Sequence, residues 1–224
     1  MVMADISDAE DIAGRIVNII DSPNTIKGMI NGALTVPLDF GYLALGYLDT
    51  DSRYDHQTQR IRMFAAIRHD ILNYDHIVDA IQITFKEFNK YLSKEKQDNT
   101  YRGVVSAITG RILATQIAIT TAAAIIERTS FIAAAESKGI IGKVAFTLLI
   151  GGMSERSIRK SETLLSEDPE IYSLLRPHDY DLTYFLFEPV VKPFVDAIHI
   201  GVTRGKPVFD EIISVLGKKL HVLR

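Results

Sequence analysis

Hydrophobic positions along the chain recur with the three-to-four rhythm of a helix face, and polar breaks divide the sequence into helical segments. Ile12, Ile16, Val17, Ile19 and Ile20 share one face of a first helix. Ser7-Asp8-Ala9-Glu10 ahead of them reads as a capping box, in which serine and glutamate satisfy each other's backbone N–H groups. Asp21-Ser22-Pro23-Asn24 predicts the end of that helix, because proline disfavours helical geometry in the residue before it. Residues 25–48 are apolar but broken by Gly28, Gly32, Pro37, Gly41 and Gly46. This predicts short helices with close backbone approach, and no strand, since no alternation appears. After a polar turn at 49–55, two amphipathic segments follow. The first is built on Ile61, Phe64, Ala65, Ile67, Ile71 and Leu72, the second on Ile77, Val78, Ile81, Phe85, Phe88 and Leu92.

Residues 93–100 read as a solvated linker. A charged helical pattern returns over 153–170, and Pro177-His178-Asp179 predicts a turn. Pro189 and Pro193 are expected to interrupt the aromatic-rich stretch 180–200. Pro207 opens a last helix, with Asp210 and Glu211 near its start and Lys218 and Lys219 near its end, as the helix dipole favours. The pattern predicts an all-α chain of eight or so helices in a single domain: N-terminal helices over 1–100, a central apolar hairpin over 103–153 and C-terminal helices over 154–224. The fold class expected is a helical bundle with that central apolar hairpin buried inside it.

The central segment departs from ordinary amphipathic helix. Between residues 103 and 126 the only charge is Arg111, and residues 112–126 have none. Those 24 residues would make a helix about 36 Å long, enough for a hydrocarbon layer of ~30 Å, whereas the uncharged part reaches only about 22 Å. A second apolar run spans 129–135 and 140–153 around the polar break Glu136-Ser137-Lys138-Gly139, with Lys143 inside it. Ser106, Gly110, Ala114, Ala118 and Ala122 repeat at every fourth position, a stripe that lets another helix approach closely or supports oligomerisation. Thr109, Thr115, Gln116, Thr120 and Thr121 add uncharged polar groups. If a pore forms, Gln116, Thr120 and Glu127 are the expected lining. The same segment also fits the tightly packed central helix pair of a bundle.

Composition narrows the chemistry. There are no cysteines among the 224 residues, which excludes disulfides, zinc–thiolate sites and thiol catalysis. A formal net charge of -3 lacks the positive footprint that nucleic-acid binding requires. Asp5, Asp8, Glu10 and Asp11 precede most of the apolar residues of 1–21, unlike a secretory signal, so the protein is expected to stay in the cytoplasm of its producer until delivered. His56, His69, His76, His178, His199 and His221 form no metal-binding motif, and no metal is expected. Asp49-Thr50-Asp51-Ser52 lacks the glycine and glutamate of a calcium loop. No phosphate-binding glycine loop, nucleophile elbow or paired-carboxylate motif stands out, so neither a cofactor nor an enzyme is expected.

A cysteine-free, signal-less, all-helical body around a small-residue hairpin at 103–153 resembles the antibacterial effectors of type VI secretion systems that form ion-selective pores. It is more distantly similar to colicin pore domains. The resemblance lies in the architecture and carries no motif. It implies delivery to the inner membrane of a competing cell, insertion into that lipid bilayer, association of several copies, depolarisation, and a cognate immunity protein in the producer. Two other classes fit the same residues: a helical interaction module (an adaptor, a chaperone or an immunity-type protein) and an enzyme whose site assembles from scattered residues.

Overall fold

In a computed structural model the chain folds into helices that pack around a shared core. The structure describes residues 2–49, 53–93, 103, 111–136 and 139–222. The linker expected at 93–100, the first turns of the hairpin at 104–110 and the residues 137–138 of its polar break lie largely or wholly outside the described residues. Among the described residues ten α-helices run in order: α1 Val2–Asp21, α2 Pro23–Ala33, α3 Val36–Leu48, α4 Arg53–Arg68, α5 Tyr74–Ser93, α6 Arg111–Glu136, α7 Gly139–Glu167, α8 Pro169–Leu175, α9 Tyr184–Thr203 and α10 Lys206–Val222. Two short 3₁₀ turns, Arg176–His178 and Tyr180–Leu182, join α8 to α9. No strand occurs among the described residues.

Local chemistry explains several boundaries. Ser22 separates α1 from α2, and its Oγ accepts from the Thr25 N–H at 3.3 Å with Pro23 at the first helical position. Asn73 starts α5 in the same way, its Oδ1 accepting from the His76 N–H at 2.8 Å. Asp75 in the first turn and Lys90 in the last complement the α5 dipole. α1 begins at Val2, so Ser7 lies inside the helix and the expected capping box does not form its start. Nothing upstream of Ser7 breaks a helix, and the chain continues it backwards.

α9 is the most deeply buried helix described. It packs against α1, α2, α5, α6, α7 and α10, and Phe185, Leu186, Phe187, Val190, Val191, Phe194, Val195 and Ala197 are buried within it. Phe194 meets Phe85 edge-on at 4.7 Å and Phe88 at 5.3 Å, and Phe88 meets Phe209 of α10 at 6.0 Å. Pro189 and Pro193 lie inside α9 and do not interrupt it. Each proline costs the helix roughly 3 kcal/mol, and burial of large side chains at about 1.5–3 kcal/mol each offsets this.

α3 and α7 cross at two glycines. A Cβ on Gly152 would collide with the backbone carbonyl of Asp39, and a Cβ on Gly46 would come 2.5 Å from Glu155 Cδ. Gly28, Gly32 and Gly41 have nothing within 4 Å of that position. Close approach in the glycine-rich segment is therefore made at Gly46 alone of these four. The first amphipathic segment also differs in part from expectation: Ile61 is 65% exposed, Ile67 and, past the end of α4, Leu72 are exposed too, while Ile71 is buried as expected and His56 and Ala66 are buried with it. The inward face of α4 is partly charged because the helix it covers, α7, presents charge to it.

Candidate functional site

Of the expected hairpin, the described residues form two consecutive helices, α6 and α7, which pack against each other. α6 packs against α2 and α5. Its inner face consists of Ile117, Ala118, Thr121, Ala122 and Ile125, all buried, with Ala118 and Ala122 fully so. Thr121 Oγ1 donates to the Ile117 carbonyl at 2.7 Å, so its hydroxyl is satisfied within the helix. Of the small-residue stripe, Ala118 and Ala122 make the bundle contact, Ala114 is half-buried, and Ser106 and Gly110 lie outside the described residues.

The opposite face of α6 carries the residues expected to line a pore. Gln116, Ile119, Ala123 and Glu127 are exposed, and Thr120 is half-buried beside them. Gln116 Nε2 donates to Thr120 Oγ1 at 3.4 Å. Glu127 Oε2 lies 3.7 Å from Lys27 Nζ of α2. Stripe and lining residues therefore fall on opposite sides of one helix. From residue 113 to 126, no charged side chain faces outward, although a bundle helix ordinarily carries charge there.

α7 changes character along its length. Residues 144–154 hold no charge, but 155–162 hold Glu155, Arg156, Arg159, Lys160 and Glu162. The charged helical pattern expected there is present, and Ser154, Glu155, Arg156, Ser157 and Ser161 within it are buried. Glu155 receives His56 Nδ1 at 3.0 Å, Arg60 Nη2 at 2.9 Å and Arg159 Nε at 2.9 Å. Arg159 reaches Asp49 at 2.8 Å, at the end of α3. Arg156 donates to the Ala33 carbonyl at 2.8 Å and to Asp39 at 3.3 Å, with its guanidinium 5.2 Å from the Phe185 ring centroid. Burial pushes the Asp39 carboxyl above its ordinary value, and Arg156 partly counters this. Ser161 donates to Asp181 at 2.6 Å, and Arg62 of α4 closes on Asp179 and Asp181. The seam ties α3, α4 and the 3₁₀ turns to one side of α7. Its signal in the sequence is the spacing of Ser154, Ser157, Ser161 and Leu164, small or apolar residues three and four apart within a charged run.

A second knot sits where α7 meets α8 and α9. Lys192 lies 2.8 Å from Asp196, 3.3 Å from Glu167 and 3.8 Å from Asp168, and His199 Nδ1 lies 3.3 Å from Asp168. Burial raises the Asp168 carboxyl, with Lys192 and His199 acting against it. The Tyr180 phenol, buried and donating to Asp79 at 3.0 Å, is pushed up to about 12.

No group of three or more His, Asp or Glu side chains among the described residues is placed to hold a metal ion. His69 follows the end of α4 and His76 lies in α5, with Asp70 at φ 59 between them, so the two do not share a helix. Comparison with known proteins found no matching family model, no matching curated protein and no matching solved structure. Among the described residues no helix is long and apolar enough to cross a membrane. The arrangement offers two polar seams along the second half of α7, and an uncharged outward surface on α6.

Proposed function

We propose that the chain is an antibacterial pore-forming effector, held as a closed helical bundle until it meets the inner membrane of a target cell. The observation that carries this reading is the outward face of α6, which over residues 113–126 presents Gln116, Ile119 and Ala123 and no charge. Such a face loses little on leaving water for lipid, whereas a charged residue costs on the order of 2.5–3.5 kcal/mol on insertion scales. The inner face of the same helix, Ala118 and Ala122, fits a second helix closely once α2 and α5 have moved away.

Insertion would proceed by opening of the bundle at the lipid surface, entry of α6 with the first half of α7, and association of several copies through the small-residue stripe. Arg111, Glu127, Arg128 and Lys143 then have to snorkel, pair or line water, which an assembled pore permits. Gln116, Thr120 and Glu127 are the proposed lumen residues. The producer would hold a membrane-resident immunity protein against its own toxin. Expression in a susceptible bacterium with a potential-sensitive dye tests the reading: rapid depolarisation before any loss of metabolites supports it, and growth with intact potential opposes it.

A second reading, an interaction module, is favoured by a different surface. Leu38, Leu45 and Leu48 lie along one stripe of α3 and are 40%, 51% and 75% exposed, with Tyr47 beside them at 81%. Such a stripe suits a partner helix. Co-expression that leaves the host unharmed, together with recovery of a stoichiometric partner lost on Leu45→Asp, would favour that reading instead.

A further inference from the structure

A groove of about 220 Å³ opens between α2 and α6, lined by Lys27, Asn31, Ala124, Glu127 and Arg128. Two cations, one carboxylate and one amide converge there. Arg128 is fixed at the wall, its Nε donating to the Leu34 carbonyl at 3.0 Å. Lys27 and Glu127 face each other at 3.7 Å, beyond hydrogen-bonding distance, with side chains 53% and 74% exposed. An ion pair that exposed contributes little and is readily parted.

We propose that this groove binds a phosphate joined to a primary ammonium, the chemistry of a phosphoethanolamine group. Phosphate pairs with the Lys27 ammonium, and the Arg128 guanidinium at the wall adds positive charge beside it. The ligand's ammonium pairs with the Glu127 carboxylate, while the Asn31 amide can accept from it as well. A zwitterion laid across Lys27 and Glu127 meets both charges at once, and neither a simple anion nor a simple cation does.

Position points to a lipid as the source. Glu127 stands at the end of the uncharged face of α6, and the 11 residues back to Gln116 span about 16 Å, close to half of a ~30 Å hydrocarbon layer. A head group in the groove would therefore lay Ala123 and Ile119 along the acyl chains of one leaflet before the bundle opens. The choice of lipid over a soluble ester rests on the membrane reading above, whereas the site's chemistry does not.

The test is binding of the full chain to phosphatidylcholine vesicles with and without phosphatidylethanolamine, beside competition by soluble O-phosphoethanolamine. The quaternary ammonium of phosphatidylcholine has no N–H to donate, so the ethanolamine vesicles should bind on the order of tenfold more tightly, a difference worth about 1.4 kcal/mol. Glu127→Gln should abolish that preference, Lys27→Ala should weaken binding to both vesicle types, and the remote exposed variant Glu211→Gln should change neither. Competition at matching affinity assigns the groove to the soluble ester, and its failure assigns it to the lipid. No preference in the wild type, a preference that survives Glu127→Gln, or binding unchanged by Lys27→Ala overturns the site. Ion release from the same vesicles separates the two proposals: release without head-group preference sinks the groove alone, and preference without release sinks the pore alone.

Discussion

Gly152 of α7 rests directly on the backbone carbonyl of Asp39 in α3, with no room between them for a β-carbon. Side by side with this crossing, Arg156 one turn further along α7 takes the Asp39 carboxylate at 3.3 Å. Backbone contact and ion pair thus fix the same two helices at the same level.

Gly152→Ala should therefore destabilise the bundle by roughly 1–3 kcal/mol, the ordinary cost of overpacking, because the obstacle is backbone and not a mobile side chain. Gly28→Ala and Gly41→Ala, at helical positions with open space, should stabilise by about 0.5–1 kcal/mol through lost chain entropy. Urea denaturation of the three variants checks the contrast, and equal effects at all three positions would contradict the crossing.

Breaking the buried pair should be costly on either side. Arg156→Met or Asp39→Leu alone should lose about 3–5 kcal/mol, since each leaves a charge stranded in the core. The double variant should lose clearly less than the sum of the two. A thermodynamic cycle with additive losses would mean that the pair is not coupled.

The two buried carboxyls set a pH dependence. Asp39 and Asp168 are held above the ordinary 3.8 by burial. Between that raised value and 3.8 the fold carries protons that the unfolded chain has released, so their contribution grows as pH falls and is lost as pH rises through the folded value. Acidification therefore does not open the bundle through these groups. The stability advantage of wild type over Asp168→Asn should widen from neutral pH towards acid, and chemical denaturation at both pH values measures it; a constant difference would refute the shift.

The small-residue stripe divides by burial, which tells where its membrane role can be tested. Ala118 and Ala122 are fully buried in the closed bundle, so leucine there should unfold it in part by overpacking, by about 1–3 kcal/mol. Ala114 is only half-buried. Ala114→Leu should leave the helical circular-dichroism signal and melting temperature nearly unchanged while lowering killing of a susceptible host by tenfold or more (on the order of 1.4 kcal/mol per association step). Undiminished killing would remove the stripe from the assembly.

What could be seen in the sequence depended on what each helix packs against. α5 was legible because its partners α6 and α9 are apolar, so Ile77, Ile81, Phe85, Phe88 and Leu92 show the burial rhythm directly. α4 was not, because its inward face carries His56 and Arg62 to meet Glu155 and Asp181, and its isoleucines are left outside. For the same reason the charged pattern of 155–162 in α7 does not reveal its burial: a charge paired across a helix interface has the same one-letter code as a charge in water. α9 hid behind Pro189 and Pro193, whose local cost is outweighed by tertiary packing that single-residue preference does not contain. The two faces of α6 were readable in part, since Ala118 and Ala122 on one side and Gln116 and Glu127 on the other follow from helix geometry alone.

The most direct test of the central claim is single-channel recording of the purified, folded chain across a planar lipid bilayer. The account predicts discrete conductance steps with a reversal potential displaced from zero under a salt gradient, as a selective pore requires. A bilayer that stays silent across lipid compositions, with protein shown to be bound to it, would contradict the pore and leave the apolar stripe of α3 as the surface to pursue.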